Sequence, residues 1–141
     1  MLTVNPYVHF NRNCAEAVRF YERVLGGKIE MMMKVSDTPP SAQHPTSPDM
    51  ADLVMHTRLS LGNYQLLASD WISSEPYQPM TSFSVSLEYP TVAEARRVHD
   101  ALAEGGQVRM PLQGTFWAKA FAMLTDRYGM PWMISGEMLT K

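Results

Sequence analysis

The sequence contains little that would mark a secreted or a nucleic-acid-binding protein. Its 141 residues include one cysteine, so no disulfide can form within the chain. A single thiol fits a reducing compartment, and we expect a cytoplasmic protein. The 12 Lys and Arg residues nearly balance the 14 Asp and Glu residues, and the net charge is −2. This balance, without long runs of either sign, argues against a partner that is nucleic acid or an anionic membrane surface.

Long apolar runs are also missing. No run approaches the roughly 18 residues that span a bilayer, and residues 1–6 lack the pattern of a signal peptide. No glycine-rich phosphate loop is present, because the glycine pairs at 26–27 and 105–106 follow predicted helices and do not open them. The 45% hydrophobic residues are sufficient for a core, and the length predicts a single domain over 1–141.

One pattern occurs twice in the chain. Asn13 and Thr91 lie 78 residues apart, and each precedes a glutamate by three positions. This spacing predicts a capping box, in which the two side chains satisfy free backbone N–H groups at a helix start. A glycine pair follows each predicted helix and indicates where it ends. Two copies of a long repeat predict two similar halves around a shared cleft, where ligands commonly bind.

Alternation and turn signals predict the order strand, helix, strand, strand, strand in each half. The fold class is therefore α+β, with one helix on one face of each sheet. We expect a first module over 1–70, a linker over 71–81 and a second module over 82–141. Four prolines predict a loop over 36–50, which is either a lid or partner contact, or a solvated insertion. The predicted strands are 7–10, 28–35, 53–61, 64–69, 83–88, 108–112, 116–125 and 132–135.

Several motifs resemble one protein family. They are Asn5-Pro6-Tyr7, Asn13 to Ala17 with Phe20-Tyr21, Leu25-Gly26-Gly27, Ser69-Asp70, Thr115 to Ala118 and Thr125 to Ile134. Together they make the chain similar to the PhnB-like branch of the vicinal oxygen chelate superfamily, which contains glyoxalase I, bleomycin-resistance proteins and extradiol dioxygenases. The resemblance implies two βαβββ modules whose curled mixed sheets surround a central cavity. It also implies a homodimer.

In this superfamily a divalent metal is commonly held by His or Gln on the first strand of each half and by Glu on the last. The corresponding positions here are His9, the stretch 66–68 with Asp70 nearby, Ser86 and Met133. A serine hydroxyl and a thioether suit such a metal poorly, and a catalytic site normally needs about three protein ligands. We therefore predict no cofactor and no ordinary metal centre; if a divalent metal is bound, its ligand is His9. His44, His56 and His99 do not replace the missing ligands.

The resemblance points to binding of a small molecule by a partly aromatic cavity. Asp70 either reaches inward or begins the loop after its strand, and the second role is slightly preferred. The alternative function is a metal-dependent lyase, isomerase or dioxygenase with an altered site around His9, so enzymatic activity stays open. A third interpretation is a structural or regulatory protein with a vestigial cavity. The predicted ligand-binding residues are Tyr7, His9, Asp70, Ser84, Ser86, Trp117, Phe121 and Met133.

Overall fold

A computed structural model describes residues 1–39 and 48–139. It divides into two compact units, Met1–Gln78 and Pro79–Lys141. Each unit contains a strand, a helix and three further strands in chain order, so the predicted α+β fold of two βαβββ modules is confirmed. No helix in the described part of the chain is long and apolar enough to cross a membrane.

The first unit is a four-stranded sheet with one helix packed on it. The strand order is β1-β4-β3-β2, with β1 and β4 parallel and the other neighbours antiparallel. The apolar side of α1 is buried against one face of this sheet, where Phe10 of β1 packs on Tyr21 of the helix. The other side of the sheet is called its helix-free face below. The elements are β1 (Tyr7–Phe10), α1 (Cys14–Leu25), β2 (Lys28–Lys34), β3 (Val54–Leu61) and β4 (Tyr64–Asp70).

The second unit repeats this plan. Its strand order is β5-β8-β7-β6, again with one parallel pair, β5 and β8. The helix buries Ala95, Val98 and Leu102. Gly136 lets the helix approach the sheet closely, because an added Cβ would lie 2.8 Å from the Cβ of Ala95. The elements are β5 (Val85–Tyr89), α2 (Val92–Ala103), β6 (Gln107–Gln113), β7 (Ala118–Thr125) and β8 (Pro131–Met138).

Two predicted strand starts were two residues too early, and the last strand ends at Met138 and not at residue 135. The fifth strand begins at Val85 and not at residue 83, and β7 begins at Ala118 and not at residue 116. The second difference has a local cause. The hydroxyl of Thr115 accepts the N–H groups of Trp117 and Ala118, which holds residues 115–118 in a turn before the strand can begin.

The predicted loop over 36–50 is described only at its ends. A 3₁₀ turn follows β2 at Val35–Asp37, and another precedes β3 at Pro48–Met50. Arg12 forms an ion pair with Asp49 at 3.2 Å, which connects the second turn to the segment between β1 and α1. The rest of the loop, residues 40–47 with His44, lies outside the described residues, and its role as a lid or partner contact stays a prediction.

The two helices begin in different ways. The prediction that Asn13 caps α1 was wrong: its side chain makes no capping bond, and its buried Oδ1 has no hydrogen-bond partner among the described residues. The carboxylate of Asp70 accepts the N–H of Cys14 instead, at 2.9 Å. A carboxylate is favoured over an amide there because it interacts with the positive end of the helix dipole.

The second helix follows the prediction in part. The hydroxyl of Thr91 accepts the N–H of Glu94 at 3.2 Å and donates to the Glu94 carboxylate at 3.1 Å. The carboxylate therefore binds the Thr91 side chain and not its backbone N–H, so half of the expected capping box is present. Gly26 and Gly105, both at φ 74°, confirm the predicted helix ends, since this left-handed conformation suits glycine.

Candidate functional site

Histidine, serine and aromatic side chains gather around β1 in the first unit. Alternation along β1 places Tyr7 and His9 on the helix-free face, while Val8 and Phe10 are buried on the other face. The strand register brings Ser69 of β4 beside His9. We call this group the histidine–aromatic cluster; it consists of Tyr7, His9, His56, Ser69, Trp71 and Tyr77.

The hydrogen bond between His9 and Ser69 determines which ring nitrogen of His9 carries its proton. Nδ1 of His9 lies 3.1 Å from Oγ of Ser69, and Ser69 is only 4% exposed. A buried hydroxyl that donates no hydrogen bond lowers the stability of the folded protein. Nδ1 of His9 is the one hydrogen-bond partner that the described residues give to the Ser69 hydroxyl. We therefore assign the donated hydrogen to Ser69. The proton of the neutral imidazole then resides on Nε2, which becomes a hydrogen-bond donor.

Partial burial also favours the neutral form of His9. Removing the ring from water disfavours its charged state, so the pKa of His9 lies below its ordinary value of 6.5. The ring is consequently uncharged at neutral pH. A neutral ring with its proton on Nε2 offers one directional N–H group to a neighbouring molecule.

Tyr7 lies between two histidine rings. Its ring centroid is 5.2 Å from that of His9 and 5.5 Å from that of His56, and the Tyr7 and His56 planes differ by only 24°. The Tyr7 hydroxyl lies 3.2 Å from Nδ1 of His56. Tyr7 is 42% exposed, so much of this ring system is accessible. Such a surface suits the flat, partly apolar part of a small molecule.

The segment after β4 completes the cluster. The rings of Trp71 and His9 meet nearly at right angles, with centroids 5.4 Å apart and planes at 83°, and the Trp71 indole donates to the carbonyl of Glu75 at 2.8 Å. The hydroxyl of Tyr77 donates to the backbone carbonyl of His9 at 3.1 Å, and burial raises the pKa of Tyr77. Two residues from the predicted linker over 71–81 therefore hold His9 in place. Trp71 directly follows the Ser69-Asp70 motif, and this adjacency was the one signal that could have identified it.

Asp70 lies away from this cluster, which corrects its prediction as a ligand-binding residue. It shares the helix side of the sheet with Leu66 and Ala68, opposite His9. Its two carboxylate oxygens accept backbone N–H groups from Cys14 and Val54, at 2.9 and 2.8 Å. The carboxylate is 3% exposed and is satisfied within its own module, so it is not available to a ligand on the other face.

The remaining predicted residues belong to the second unit. Ser86 of β5 and Met133 of β8 are direct neighbours in the strand register. Trp117 meets Phe121 edge-on at 5.1 Å, and Phe121 is buried. Ser84 immediately precedes the first residue of β5. The structure thus brings Tyr7 and His9 together in the first unit. In the second unit it forms two separate pairs, Ser86 with Met133 and Trp117 with Phe121.

The side chains of the described residues offer few metal ligands. Within residues 1–39 and 48–139, no three His, Cys, Asp or Glu side chains lie close enough together to hold a metal ion. Cys14 is buried, and both its burial and the negative charge of Asp70 raise the pKa of its thiol. It therefore stays protonated, a form that neither attacks a substrate nor binds a metal well.

Two βαβββ modules, one of which carries a histidine on its first strand, define a glyoxalase-like protein. Comparison with known proteins agrees with this class. The model of the Glyoxalase/Bleomycin resistance protein/Dioxygenase superfamily matches residues 3–134, and the chain belongs to this superfamily.

The chain is also similar to several individual proteins. Protein YjdN from Escherichia coli (strain K12) is 31% identical over 142 residues, which cover 95% of each chain. The crystal structure of protein PA1353 from Pseudomonas aeruginosa is 44% identical, with a TM-score of 0.88 over 96% of this chain and 97% of that one. The PhnB protein from Bacillus cereus shares the fold, with a TM-score of 0.78 at 21% identity over 95% and 98% of the two chains. The predicted superfamily is confirmed.

Proposed function

We propose that this protein binds a small, partly apolar molecule at the histidine–aromatic cluster, without the divalent-metal centre usual in its superfamily. The observation that carries the proposal is the 3.1 Å contact between Nδ1 of His9 and the buried Ser69 hydroxyl, to which we assign the donated hydrogen. A metal needs an unprotonated ring nitrogen. Here Nδ1 accepts from Ser69 and Nε2 carries the proton, so a metal on Nε2 would leave the Ser69 hydroxyl without an acceptor.

The cluster supplies the two elements of a small-molecule site. Tyr7 and His56 provide a flat surface that is partly exposed. The Nε2–H of His9 provides a directional donor, whose orientation is fixed by Ser69 on the ring and by Tyr77 on the backbone carbonyl. Apolar contact area with a few oriented polar groups is the usual composition of ligand sites.

One observation favours a second function. His9 lies on the first strand, where the superfamily commonly places a metal ligand, and an altered metal site there would give a lyase, isomerase or dioxygenase. In that case His9 would have to present Nε2 without its proton, and Ser69 would have to accept from Nδ1–H. The tautomer of His9 therefore separates the two functions.

The first experiment measures that tautomer and the metal content of the purified protein. Ring-nitrogen NMR at pH 7.5 is expected to show His9 protonated at Nε2. Elemental analysis is expected to show less than stoichiometric zinc, nickel, manganese or iron. A stoichiometric metal that is lost in His9→Ala would contradict the metal-free proposal and support the enzyme.

The second experiment asks whether the cluster binds a ligand. A metabolite library is screened by thermal shift, since a ligand at a hundredfold excess over its Kd stabilises by about 2.7 kcal/mol. Tyr7→Ala is expected to abolish the shift. Tyr64→Ala is the matched control, because Tyr64 is 78% exposed at the start of β4 and should leave the shift unchanged. If no compound shifts the wild-type protein, the third interpretation, a structural or regulatory protein, is favoured.

We further propose that the protein is a cytoplasmic homodimer, on the basis of its family resemblance and its single cysteine. Exposed apolar side chains in the second unit, including Val108, Met110 and Phe116, are compatible with a partner surface. Light scattering after gel filtration is expected to give twice the chain mass of 15.9 kDa. A mass of one chain at micromolar concentration would contradict the dimer.

A further inference from the structure

An arginine lies on the same face as the cluster, two strands away from Tyr7. Arg58 of β3 is exposed between the buried Thr57 and Leu59, so it projects on the helix-free face with His56. The register pairs Arg58 with Leu67, and Leu67 with Tyr7. Tyr7, Leu67 and Arg58 thus form one row across three strands, with the backbones of the outer two about 9.5 Å apart.

The charge of Arg58 is not neutralised by the described residues. No carboxylate of residues 1–39 or 48–139 forms an ion pair with it. Glu30, on the neighbouring edge strand, pairs with Lys28 at 3.7 Å, and Asp70 lies on the opposite face of the sheet. Arg58 and the His9 Nε2–H donor consequently share this face, and no ion pair among residues 1–39 and 48–139 neutralises the guanidinium group of Arg58.

We infer that the ligand of this site is a ring-bearing organic anion, whose ring packs on Tyr7 and whose oxyanion is bound by Arg58. The inference rests on the proposed small-molecule function and specifies its ligand class. A guanidinium group forms paired hydrogen bonds with a carboxylate or a phosphate, and both oxyanions share that chemistry. Leu67, between the two residues, supplies an apolar floor for the part of the ligand that joins the ring to the anion. Arg58 is therefore assigned as the residue that selects for ligand charge.

The test uses three probes that carry the same ring: benzoate, phenyl phosphate and the neutral benzamide. Titrations followed by protein NMR are expected to show that at least one anion binds ten or more times tighter than benzamide. Arg58→Gln should weaken that anion roughly tenfold or more, since a hydrogen bond to a charged group contributes about 1.5–3 kcal/mol. Benzamide binding should change less than twofold. The comparison of benzoate with phenyl phosphate identifies the preferred oxyanion.

Two further variants are controls for the role of Arg58 in anion binding. Arg96→Gln makes the same change of charge at an exposed position of α2 in the second unit and should leave anion binding unchanged. Arg58→Lys keeps the charge but loses the paired geometry, so its affinity should lie between wild type and Arg58→Gln. Raising the salt concentration should weaken the anions and not benzamide.

Three outcomes would overturn the inference. They are benzamide binding as tightly as both anions, no binding of either anion, or an equal loss in Arg58→Gln and Arg96→Gln. The first leaves small-molecule binding intact, because a neutral ligand still occupies the cluster. Failure of the proposed function itself would be recognised by a library screen in which no ligand of any charge stabilises the protein.

Discussion

The two modules share one backbone plan but stabilise it through different aspartates. In the first, the buried Asp70 joins the start of α1 to the start of β3, through bonds that span 56 and 16 positions. In the second, the buried Asp126 accepts from the backbone of Tyr128 and Met130 and from the indole of Trp132, all within six positions. The same fold is thus fixed by long-range contacts in one copy and by a local turn in the other.

The helix-free faces of the two sheets differ even more. The first carries histidines, Tyr7 and an arginine. At the corresponding places the second carries Ser86 beside Met133, and Met133 is also paired with Met123 of β7. The histidine–aromatic cluster thus belongs to the first module, whereas the face of the second carries the two methionines together with the ion pair of Lys119 and Glu137. Duplication kept the scaffold while the chemistry of the two faces diverged.

The largest expected effect concerns the two buried aspartates. Asp126→Ala leaves three buried N–H donors without an acceptor and Asp70→Ala leaves two, so we expect each to lower the free energy of unfolding by about 3–5 kcal/mol. Urea denaturation measures this loss. The control Asp52→Ala changes an exposed residue of the first module and should cost less than about 0.5 kcal/mol. An Asp70→Ala variant as stable as this control would contradict the conclusion that the long-range hydrogen bonds of Asp70 stabilise the first module.

A smaller effect should distinguish the helix starts. Thr91→Ala removes a side chain that accepts the N–H of Glu94, and we expect a loss of about 1 kcal/mol in unfolding free energy. Asn13→Ala should cost close to zero, because Asn13 makes no capping bond and leaves a buried oxygen unpaired. Thermal melts of the two variants side by side provide the measurement. The reverse order would mean that Asn13, and not Asp70, caps the first helix.

The smallest effect is the pH dependence contributed by His9. Its pKa is lowered in the folded protein, so the unfolded chain binds more protons between that lowered pKa and about 6.5. Stability should therefore fall as the pH decreases through this window and be fully recovered above it. NMR titration of His9 should give a midpoint below 6.5, and His9→Gln should show a shallower loss of stability on acidification. A midpoint above 6.5 would contradict the neutral ring.

Local signals in the sequence predicted most of the fold. Alternation at residues 7–10 and the glycine ends of both helices depend on neighbours within a few positions, and the structure confirms them. The errors came where a distant or competing group intervened. Asn13 was displaced as a cap by Asp70, which lies 56 residues from the amide it binds, and β7 starts late because Thr115 holds a turn.

The candidate site was predicted less completely, because its members meet across long stretches of chain. Alternation placed Tyr7 and His9 on one face. Ser69 reaches His9 from 60 positions away and Tyr77 from 68, and no spacing in the sequence encodes such pairs. Asp70 was predicted as a ligand-binding residue, although it alternates with Leu66 and Ala68, and these two apolar neighbours lie on the helix side of the sheet.

The contact between Trp71 and His9 has a practical consequence. Of the three tryptophans, Trp132 is buried beside Asp126 and Trp117 packs on Phe121, both in the second unit. Trp71 is half-buried, and its ring meets that of His9 nearly at right angles. Any molecule that settles over His9 changes the polarity around this indole and so shifts its fluorescence. With Trp117 replaced by phenylalanine, and the buried Trp132 kept because its indole donates to Asp126, Trp71 would be the tryptophan whose emission reports site occupancy.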